Sequence, residues 1–399
     1  MIEIKPDIYY VGVKNPDMRI FDVFFRTESG TTYNSYLIVG KEKIALIDTV
    51  KEPFRDEFIK NVEEIVPLEK INYIITLHHE PDHSGALKYI LEKSNARVVI
   101  SKTAGLFLKQ ILHRDANPLL VGDNDKISLG NITLEFIQAP FLHWPDTMFA
   151  YIPERNILFT CDFLGQHFSD EAIYNDESRD FTYAFEHYYK IIMRPFKDYV
   201  LQAIKKIENK NIDMIAPSHG MILRKDPWKY VDLYRTWSTP KPRDYRRALV
   251  FYASPYGGTG KLANSIAKGL ADSGVYVEIF DLAGTVIDDS LLDLIENSDA
   301  LIVGSSTLNG DAIKPVWDLL SSLTTINMRN KIGFAFGTFA WSGEAPKFIE
   351  NRLKDLKLKV PETSFRAGII PTEEDLQRAA EMGKKLAGYI IGPSSSVPA

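Results

Sequence analysis

The first half of the chain carries short apolar runs that alternate with segments of helical spacing. Strands are predicted for the apolar and β-branched runs at residues 36–39, 43–47, 71–77, 96–100, 132–137, 148–152, 156–161 and 214–216. Helices are predicted where apolar residues recur every three or four positions, at residues 52–66, 85–93, 184–208 and 227–237. Because strands and helices do not follow each other one for one, this half is not a simple series of strand–helix units.

The pattern becomes regular after the polar segment at residues 238–244, which contains two prolines and has the composition of a linker. Strands predicted at 248–253, 275–280, 300–304 and 331–337 then alternate with helices predicted at 261–273, 313–323, 345–356 and 373–391. Repeated units of this kind form a parallel sheet covered on both faces. We therefore predict domains at residues 1–246 and 247–392, a linker at about 238–246, and a disordered tail at 393–399.

Composition and charge narrow the class of protein. The net charge of -6 argues against a nucleic-acid binder, which usually shows a basic stripe. No apolar run is long enough to span a bilayer and no secretory signal is visible, so we expect a cytoplasmic protein without a membrane segment. The single cysteine, Cys161, excludes an internal disulfide and a cysteine-built cluster. Redox chemistry would then need an organic cofactor or a metal held by nitrogen and oxygen.

The segment His78-His79-Glu80-Pro81-Asp82-His83 follows a predicted buried strand, where α/β folds place their sites. Alternate residues of an extended loop face the same way, so we expect His78, Glu80 and Asp82 to converge. His83 would turn in beside them, and His79 would face away. A lone loop histidine is usually solvated or hydrogen-bonded, but this many ionisable groups repel each other unless something binds them.

Three further candidates, His143, Asp162 and His219, also follow predicted strands. With the first cluster they make four imidazoles and three carboxylates, enough for two metal ions bridged by a carboxylate such as Asp162. A carboxylate-rich set without thiolates favours iron or manganese over zinc. His113 and His187 lie in stretches of helical character and are not expected to bind metal.

A second candidate site follows the first strand of the second half, in the glycine-rich segment 254–260. Glycines, hydroxyls and the start of a helix suit a phosphate group. Two polar loops at later strand ends suit the flat ring of FMN, with Trp341 or Phe339 stacking on it. The candidate flavin residues are Ser254, Tyr256, Gly257, Gly258, Thr259, Gly260, Ser306, Thr307, Leu308, Asn309, Gly310, Thr338, Phe339, Ala340, Trp341 and Gly343.

These motifs together resemble those of the flavodiiron proteins. The resemblance rests on the segments at 78–83, 142–146, 161–165 and 217–220, followed by a flavodoxin-like half, and it covers residues 1 to about 392. It implies an α/β chain with an N-terminal αββα metallo-β-lactamase-like sandwich and a flavodoxin-like doubly wound parallel sheet. Related zinc hydrolases read His-x-His-x-Asp-His, and Glu80 in this chain is the iron-type exchange. Tyr256 stands where flavodoxins often carry Ser or Thr.

The resemblance also implies which residues hold each ion. One iron would be held by His78, Glu80 and His143, the other by Asp82, His83 and His219, with Asp162 as the bridge. His167 would lie beside these ligands, and Tyr189 near the substrate pocket.

The function implied by the resemblance is that of a flavodiiron oxidoreductase. Electrons from a rubredoxin-like donor would pass through FMN to two irons per chain, which reduce O2 to water or NO to N2O. A head-to-tail homodimer is implied, with a tetramer as a further option. Two alternatives stay open: a di-zinc metallo-β-lactamase-type hydrolase with an accessory flavodoxin domain, and a non-catalytic FMN electron carrier.

Overall fold

The structure is a computed structural model that describes residues 2–21, 23 and 25–392. The chain divides into two compact units, residues 1–239 and residues 240 onward. The tail predicted at 393–399 lies outside the described residues. None of the described helices is both long enough and apolar enough to cross a membrane.

The first unit contains sixteen strands and seven α-helices among the described residues. The strands are β1 (Ile2–Lys5), β2 (Ile8–Tyr10), β3 (Val13–Asn15), β4 (Ile20–Phe21), β5 (Phe25–Arg26), β6 (Thr31–Tyr33), β7 (Tyr36–Val39), β8 (Ile44–Ile47), β9 (Tyr73–Ile75), β10 (Arg97–Ser101), β11 (Leu119–Val121), β12 (Lys126–Ser128), β13 (Thr133–Gln138), β14 (Met148–Ile152), β15 (Ile157–Cys161) and β16 (Met214–Pro217). The helices are α1 (Arg55–Glu63), α2 (Pro81–Ser84), α3 (Leu87–Lys93), α4 (Gly105–Leu112), α5 (Thr182–Tyr188), α6 (Lys197–Ile207) and α7 (Pro227–Ser238).

Two sheets pack face to face in this unit, in the orders β1-β2-β7-β8-β9-β10-β11 and β12-β13-β14-β15-β16. The core between them contains Ile47 and Ile75 of the first sheet and Phe159 and Ala216 of the second, all buried. Residues of α1, α3 and α4 cover the outer face of the first sheet, and residues of α5, α6 and α7 cover that of the second. This is an αββα sandwich, so the predicted fold of the first half is confirmed.

The helix predicted at 184–208 is not continuous. α5 ends at Tyr188, and a π-helical turn (Tyr189–Met193) and a 3-10 turn (Arg194–Phe196) precede α6. Pro195 lies within the 3-10 turn; it lacks a backbone N–H and its ring crowds the preceding turn, so a regular α-helix cannot run through it. The prediction of one long helix was wrong for this reason.

The second unit has one sheet of five parallel strands with helices on both faces. Its elements are β17 (Arg247–Ala253), α8 (Gly258–Ala271), β18 (Tyr276–Asp281), α9 (Asp289–Glu296), β19 (Ala300–Leu308), β20 (Asp311–Ala312), α10 (Lys314–Ser322), β21 (Ile332–Phe339), α11 (Ala345–Asp355), β22 (Phe365–Gly368) and α12 (Glu373–Ile391). The two-residue strand β20 pairs antiparallel with β19. The order β18-β17-β19-β21-β22 reverses direction between β17 and β19. Such a reversal opens a crevice at the carboxyl ends of the two strands, so the sheet has the flavodoxin-like topology that was predicted.

Candidate functional site

The seven candidate metal ligands lie together beyond the carboxyl ends of strands in the first unit. Their positions are His78 and Glu80 after β9, Asp82 and His83 within α2, His143 after β13, Asp162 directly after β15, and His219 after β16. The loop at 78–83 is therefore not extended throughout, because Pro81 starts a helical turn that directs Asp82 and His83 inward.

Three side chains form the first group of ligands. Nε2 of His78 and Nε2 of His143 lie 3.2 and 3.1 Å from the same Oε2 atom of Glu80. Both imidazoles also face Oδ2 of Asp162, at 3.6 and 3.8 Å. One atom from each of these four residues lies within 4.8 Å of the others, which is the spacing of ligands around one ion.

The second group lies on the other side of Asp162. Nε2 of His83 and Nε2 of His219 are 3.2 and 3.3 Å from Oδ1 of Asp162. The same two nitrogens lie 3.3 and 3.2 Å from Oδ1 and Oδ2 of Asp82. Asp162 thus offers one carboxylate oxygen to each group, which is the geometry of a bridging ligand. The hydroxyl of Tyr188 donates to Oδ1 of Asp162 at 3.0 Å and fixes its orientation.

Hydrogen bonds orient two of the imidazoles from behind. Nδ1 of His78 lies 3.2 Å from Asp146, and Nδ1 of His219 lies 2.7 Å from the carbonyl oxygen of Thr32. A proton held on Nδ1 leaves Nε2 as the ligand atom, which is how metal-binding histidines are usually fixed. The second oxygen of Asp146 contacts Nδ1 of His79 at 2.8 Å, so His79 faces away from the metal ligands, as expected from the sequence.

The carboxylates reverse the effect of burial on the pKa of three ligand histidines, His78, His83 and His219. Burial alone lowers the pKa of an imidazole because the charged form loses hydration. Contacts with Asp146 and Glu80 nevertheless raise the pKa of His78 to about 9. Asp82 and Asp162 raise the pKa of His83 to about 9 and that of His219 to about 10. A metal ion must therefore displace protons when it binds.

The described residues fit a pair of metal ions. Four buried ligand atoms, Asp82 Oδ1, Asp82 Oδ2, His83 Nε2 and His219 Nε2, make no hydrogen bond although they lie close together. Buried polar atoms without a partner are rare because each is costly. A cation between these atoms would satisfy all four. The set contains no thiolate, since the Cys161 thiol is buried with its pKa raised well above the ordinary value, first by burial and then by Asp162.

The sequence analysis placed His167 beside the metal ligands and Tyr189 near the substrate pocket, and the two residues have different environments. His167 is buried, its ring lies 5.3 Å from that of His219, and Nδ1 contacts the hydroxyl of Thr31 at 3.1 Å. The hydroxyl of Tyr189, in contrast, forms a hydrogen bond with Ser238 at 2.9 Å. Tyr188, the last residue of α5, is the tyrosine that contacts Asp162. The place of Tyr189 near a substrate pocket stays a prediction.

Asp48 is a further residue that sequence reasoning missed. It is fully buried after β8 and accepts hydrogen bonds from the backbone N–H of Leu77 and the hydroxyl of Ser218, at 2.7 and 3.0 Å. Leu77 precedes His78 and Ser218 precedes His219, so Asp48 connects the two sheets directly beneath one ligand of each group. Its pKa is raised to about 6, because burial outweighs the nearby charge of His83. In the sequence, Asp48 could have been identified as the one charged residue at the end of the otherwise apolar run 44–48.

The candidate flavin loops lie at the carboxyl edge of the second unit's sheet. The loop after β17 turns at Gly257, whose φ of +82° favours glycine, and α8 begins at Gly258. The hydroxyls of Thr259, Ser306 and Thr338 lie 2.8 to 3.2 Å apart and connect the start of α8 with the ends of β19 and β21. These contacts hold the three candidate flavin segments, which follow β17, β19 and β21, together at the carboxyl edge of the sheet.

The same edge fits a phosphate and a flat ring. The hydroxyl oxygens of Ser254 and Thr307 are buried and make no hydrogen bond, so both are available to a phosphate. Trp341 is 76% exposed and Phe339 is partly buried, which leaves Trp341 as the exposed aromatic of the third loop. The remaining candidates around these loops are Tyr256, Gly260, Leu308, Asn309, Gly310, Ala340 and Gly343; Tyr256, Leu308, Asn309 and Ala340 are exposed. The exposed Tyr256 places no hydroxyl among the three that connect the loops.

Comparison with known proteins gives matches across almost the whole chain. Residues 31–220 match the ODP family beta lactamase model, and residues 250–383 match the flavodoxin model. Type A flavoprotein fprA of Rhodobacter capsulatus is 38% identical, with 98% of this chain and 92% of that protein aligned. A nitric oxide reductase of Moorella thermoacetica is 36% identical over 98% of each chain. The solved structure of rubredoxin oxygen:oxidoreductase from Desulfovibrio gigas has a TM-score of 0.67 and 28% identity, with 98% of each chain covered.

Proposed function

Because this chain belongs to the family of type A flavoproteins, also called flavodiiron proteins, we propose that it reduces O2 or NO at a di-iron centre with electrons delivered through FMN. The observation that carries the proposal is the position of Asp162. One of its oxygens faces His78 and His143, and the other faces His83 and His219. A carboxylate shared between two imidazole pairs, without any thiolate, suits two adjacent irons.

Each ion would be held by its own three side chains and the shared carboxylate. These are His78, Glu80 and His143 for one iron, and Asp82, His83 and His219 for the other, with Asp162 common to both. When bound, the irons and FMN supply the electrons and the open coordination positions that reduction of O2 or NO needs. Seven protein ligands do not saturate two six-coordinate ions, so positions for substrate remain.

Buried residues around the ligands fix the orientation of the ligand side chains. Asp146 and Thr32 hold the Nδ1 atoms of His78 and His219, so both rings present Nε2. Burial, then Asp162, raises the pKa of Tyr188 well above its ordinary value, so the phenol stays protonated and donates a hydrogen bond to Asp162. These groups are buried, whereas the side chains of Glu80 and His143 are 14% and 15% exposed, so the first group of ligands is open to solvent on one side.

The electron donor is proposed to be a separate rubredoxin-like protein. The single cysteine of this chain cannot build a cysteine-ligated iron centre of its own, and the Desulfovibrio gigas relative is named a rubredoxin oxygen:oxidoreductase. A head-to-tail homodimer, or a tetramer, and a cytoplasmic location are further proposals that rest on the family resemblance. Light scattering of the purified protein and cell fractionation test them.

The proposed function is tested on protein purified without oxygen. We expect about two irons and one FMN per chain by elemental analysis and absorbance, and consumption of O2 or NO by the reduced protein on a gas electrode. Asp162→Ala should lose metal and both activities. His113→Asn is the matched control, because His113 is exposed and has a left-handed backbone that Asn tolerates.

Two results would contradict the proposal. Two zinc ions per chain after growth with ample iron, together with no consumption of either gas, would indicate a hydrolase. Full activity in Asp162→Ala would show that the chemistry occurs elsewhere.

A further inference from the structure

A cavity of about 130 Å³ opens on the surface of the first unit, between residues 26–29 and the start of α5. All of its lining residues belong to the first unit. Its opening is polar, because Arg26, Glu28 and Asp180 line the cavity and are exposed. A water molecule occupies about 30 Å³ in the liquid, so the cavity has room for several molecules of that size.

The buried part of the lining is mostly apolar. Phe168 and Phe181 are 2% and 6% exposed, their ring centroids are 5.9 Å apart, and Ala184 is partly buried. An uncharged diatomic gas loses little when it leaves water for such a lining, whereas an ion loses its hydration. The lining therefore suits O2 or NO better than a charged metabolite.

His167 connects this cavity with the metal ligands. It lines the cavity and is 4% exposed, and its ring lies 5.3 Å from the ring of His219 and 4.8 Å from that of Tyr188. Its Nδ1 contacts the hydroxyl of Thr31, while its Nε2 makes no hydrogen bond with the described residues. One hydrogen bond therefore holds the ring that separates the cavity from a ligand of the second group.

The second group of ligands is more enclosed than the first. The side chains of Asp82, His83 and His219 are 7%, 1% and 1% exposed. Those of Glu80 and His143 in the first group are 14% and 15% exposed. A gas molecule that arrives on the open side meets the first group. The cavity reaches the second group, through His167 and His219, and so provides a separate approach to the ligands.

We propose that this cavity is an entrance through which O2 or NO reaches the second group of ligands, past the ring of His167. The inference rests on the proposed function and adds to it the path of the gaseous substrate. Ala184 lies on this path, because it lines the cavity from α5 and has a side chain of a single methyl group. A large side chain at that position is expected to fill the cavity.

Stopped-flow mixing of NO with the reduced, FMN-loaded holoprotein tests the inference, because the first absorbance change records gas binding. Ala184→Trp should slow the association of NO severalfold and leave the absorption spectrum of the iron-loaded protein unchanged, since a blocked path does not alter the ligands. Ala96→Trp is the matched control. Ala96 is also partly buried, lies directly before β10 and does not line this cavity. This control should bind NO at the wild-type rate.

Circular dichroism, iron content and FMN content establish that each variant is folded and loaded, and Ala184→Leu replaces the larger substitution if Ala184→Trp is not. Association of NO at the wild-type rate in the Ala184 variant would overturn the entrance, and so would equal slowing in Ala96→Trp. A slower rate with a changed iron spectrum would also overturn it, because the substitution would then act on the ligands themselves. Wild-type protein that holds no iron or consumes neither gas contradicts the proposed function instead, so the two failures are distinct.

Discussion

Asp162 owes its central position to the residue before it. Cys161 ends β15 with φ of +52°, an unusual backbone for a residue other than glycine. The chain therefore turns sharply at the end of the strand, and the carboxylate of Asp162 lies between the two groups of imidazoles. Strain of this kind is tolerated where the surroundings fix the backbone, and the Cys161 side chain is fully buried.

Replacement of neighbouring tyrosines separates a role at the metal centre from a role in packing. Tyr188→Phe removes the hydrogen bond to Asp162, while Tyr189→Phe removes one to Ser238. Each change should cost about 1 kcal/mol of unfolding free energy. We expect only Tyr188→Phe to alter the electronic spectrum of the iron-loaded protein and to lower turnover. Equal spectra in both variants would contradict a role for Tyr188 in fixing the carboxylate.

Gly258 is required at the start of α8 for lack of space. A Cβ atom there would collide with the backbone carbonyl oxygen of Ile369. Gly258→Ala should therefore destabilise the second unit by about 1–3 kcal/mol and weaken FMN binding, measured by flavin fluorescence. Gly284→Ala is the control, since nothing lies within 4 Å of a Cβ at that position. FMN affinity that is unchanged in Gly258→Ala would show that the loop can relax.

At the scale of elements, α11 is attached to the loop before β22 by one carboxylate. Glu350 is 1% exposed and accepts hydrogen bonds from Lys347, Lys354 and the backbone N–H of Ser364, at 2.8, 2.6 and 3.0 Å. Burial opposes the charge of Glu350, but the two lysines outweigh it and lower its pKa to about 2. The ionised carboxylate therefore stabilises the folded state.

The pH dependence of this contribution has a definite sign. Because the folded-state pKa lies below the ordinary value of 4.5, the stabilisation is complete above pH 4.5 and is lost as the pH falls toward 2. Glu350→Gln should cost about 2 kcal/mol at pH 7 in urea unfolding, and the difference from wild type should shrink below pH 4.5. Glu381→Gln, an exposed position on α12, should show no such dependence. A pH-independent difference would show that packing, not charge, is lost.

At the scale of the whole molecule, each unit has a core of its own. Three clusters of buried apolar residues belong to the first unit and two to the second. We therefore expect residues 1–239 and 240–399 to fold when expressed separately. The first fragment should bind two irons and the second one FMN, by elemental analysis and absorbance. A fragment without a cooperative unfolding transition would contradict this independence, and full-length protein with its cofactors is the reference.

Local pattern alone determined much of this architecture. The strand predicted at 148–152 and the helix predicted at 373–391 match β14 and α12 residue for residue. β14 is buried throughout and is a continuous apolar run, while α12 is long and its apolar residues recur at helical spacing. In both elements the sequence pattern follows directly from burial. The candidate ligands were visible for a related reason, because ionisable side chains directly after apolar strands stand out from the sequence.

Tertiary structure decided the rest. The elements that were not predicted are strands β1 to β6, β11, β12, β20 and β22 and helices α2, α4 and α9. They are short, and their stability depends on partners that are distant in the sequence. Asp146 reaches His78 from 68 positions away, and Tyr188 reaches Asp162 from 26. The sequence thus determines which side chains are candidates for binding metal or phosphate. Which residues orient them is set by the packing of two sheets and a broken helix, because contacts across elements leave no periodic signal along the chain.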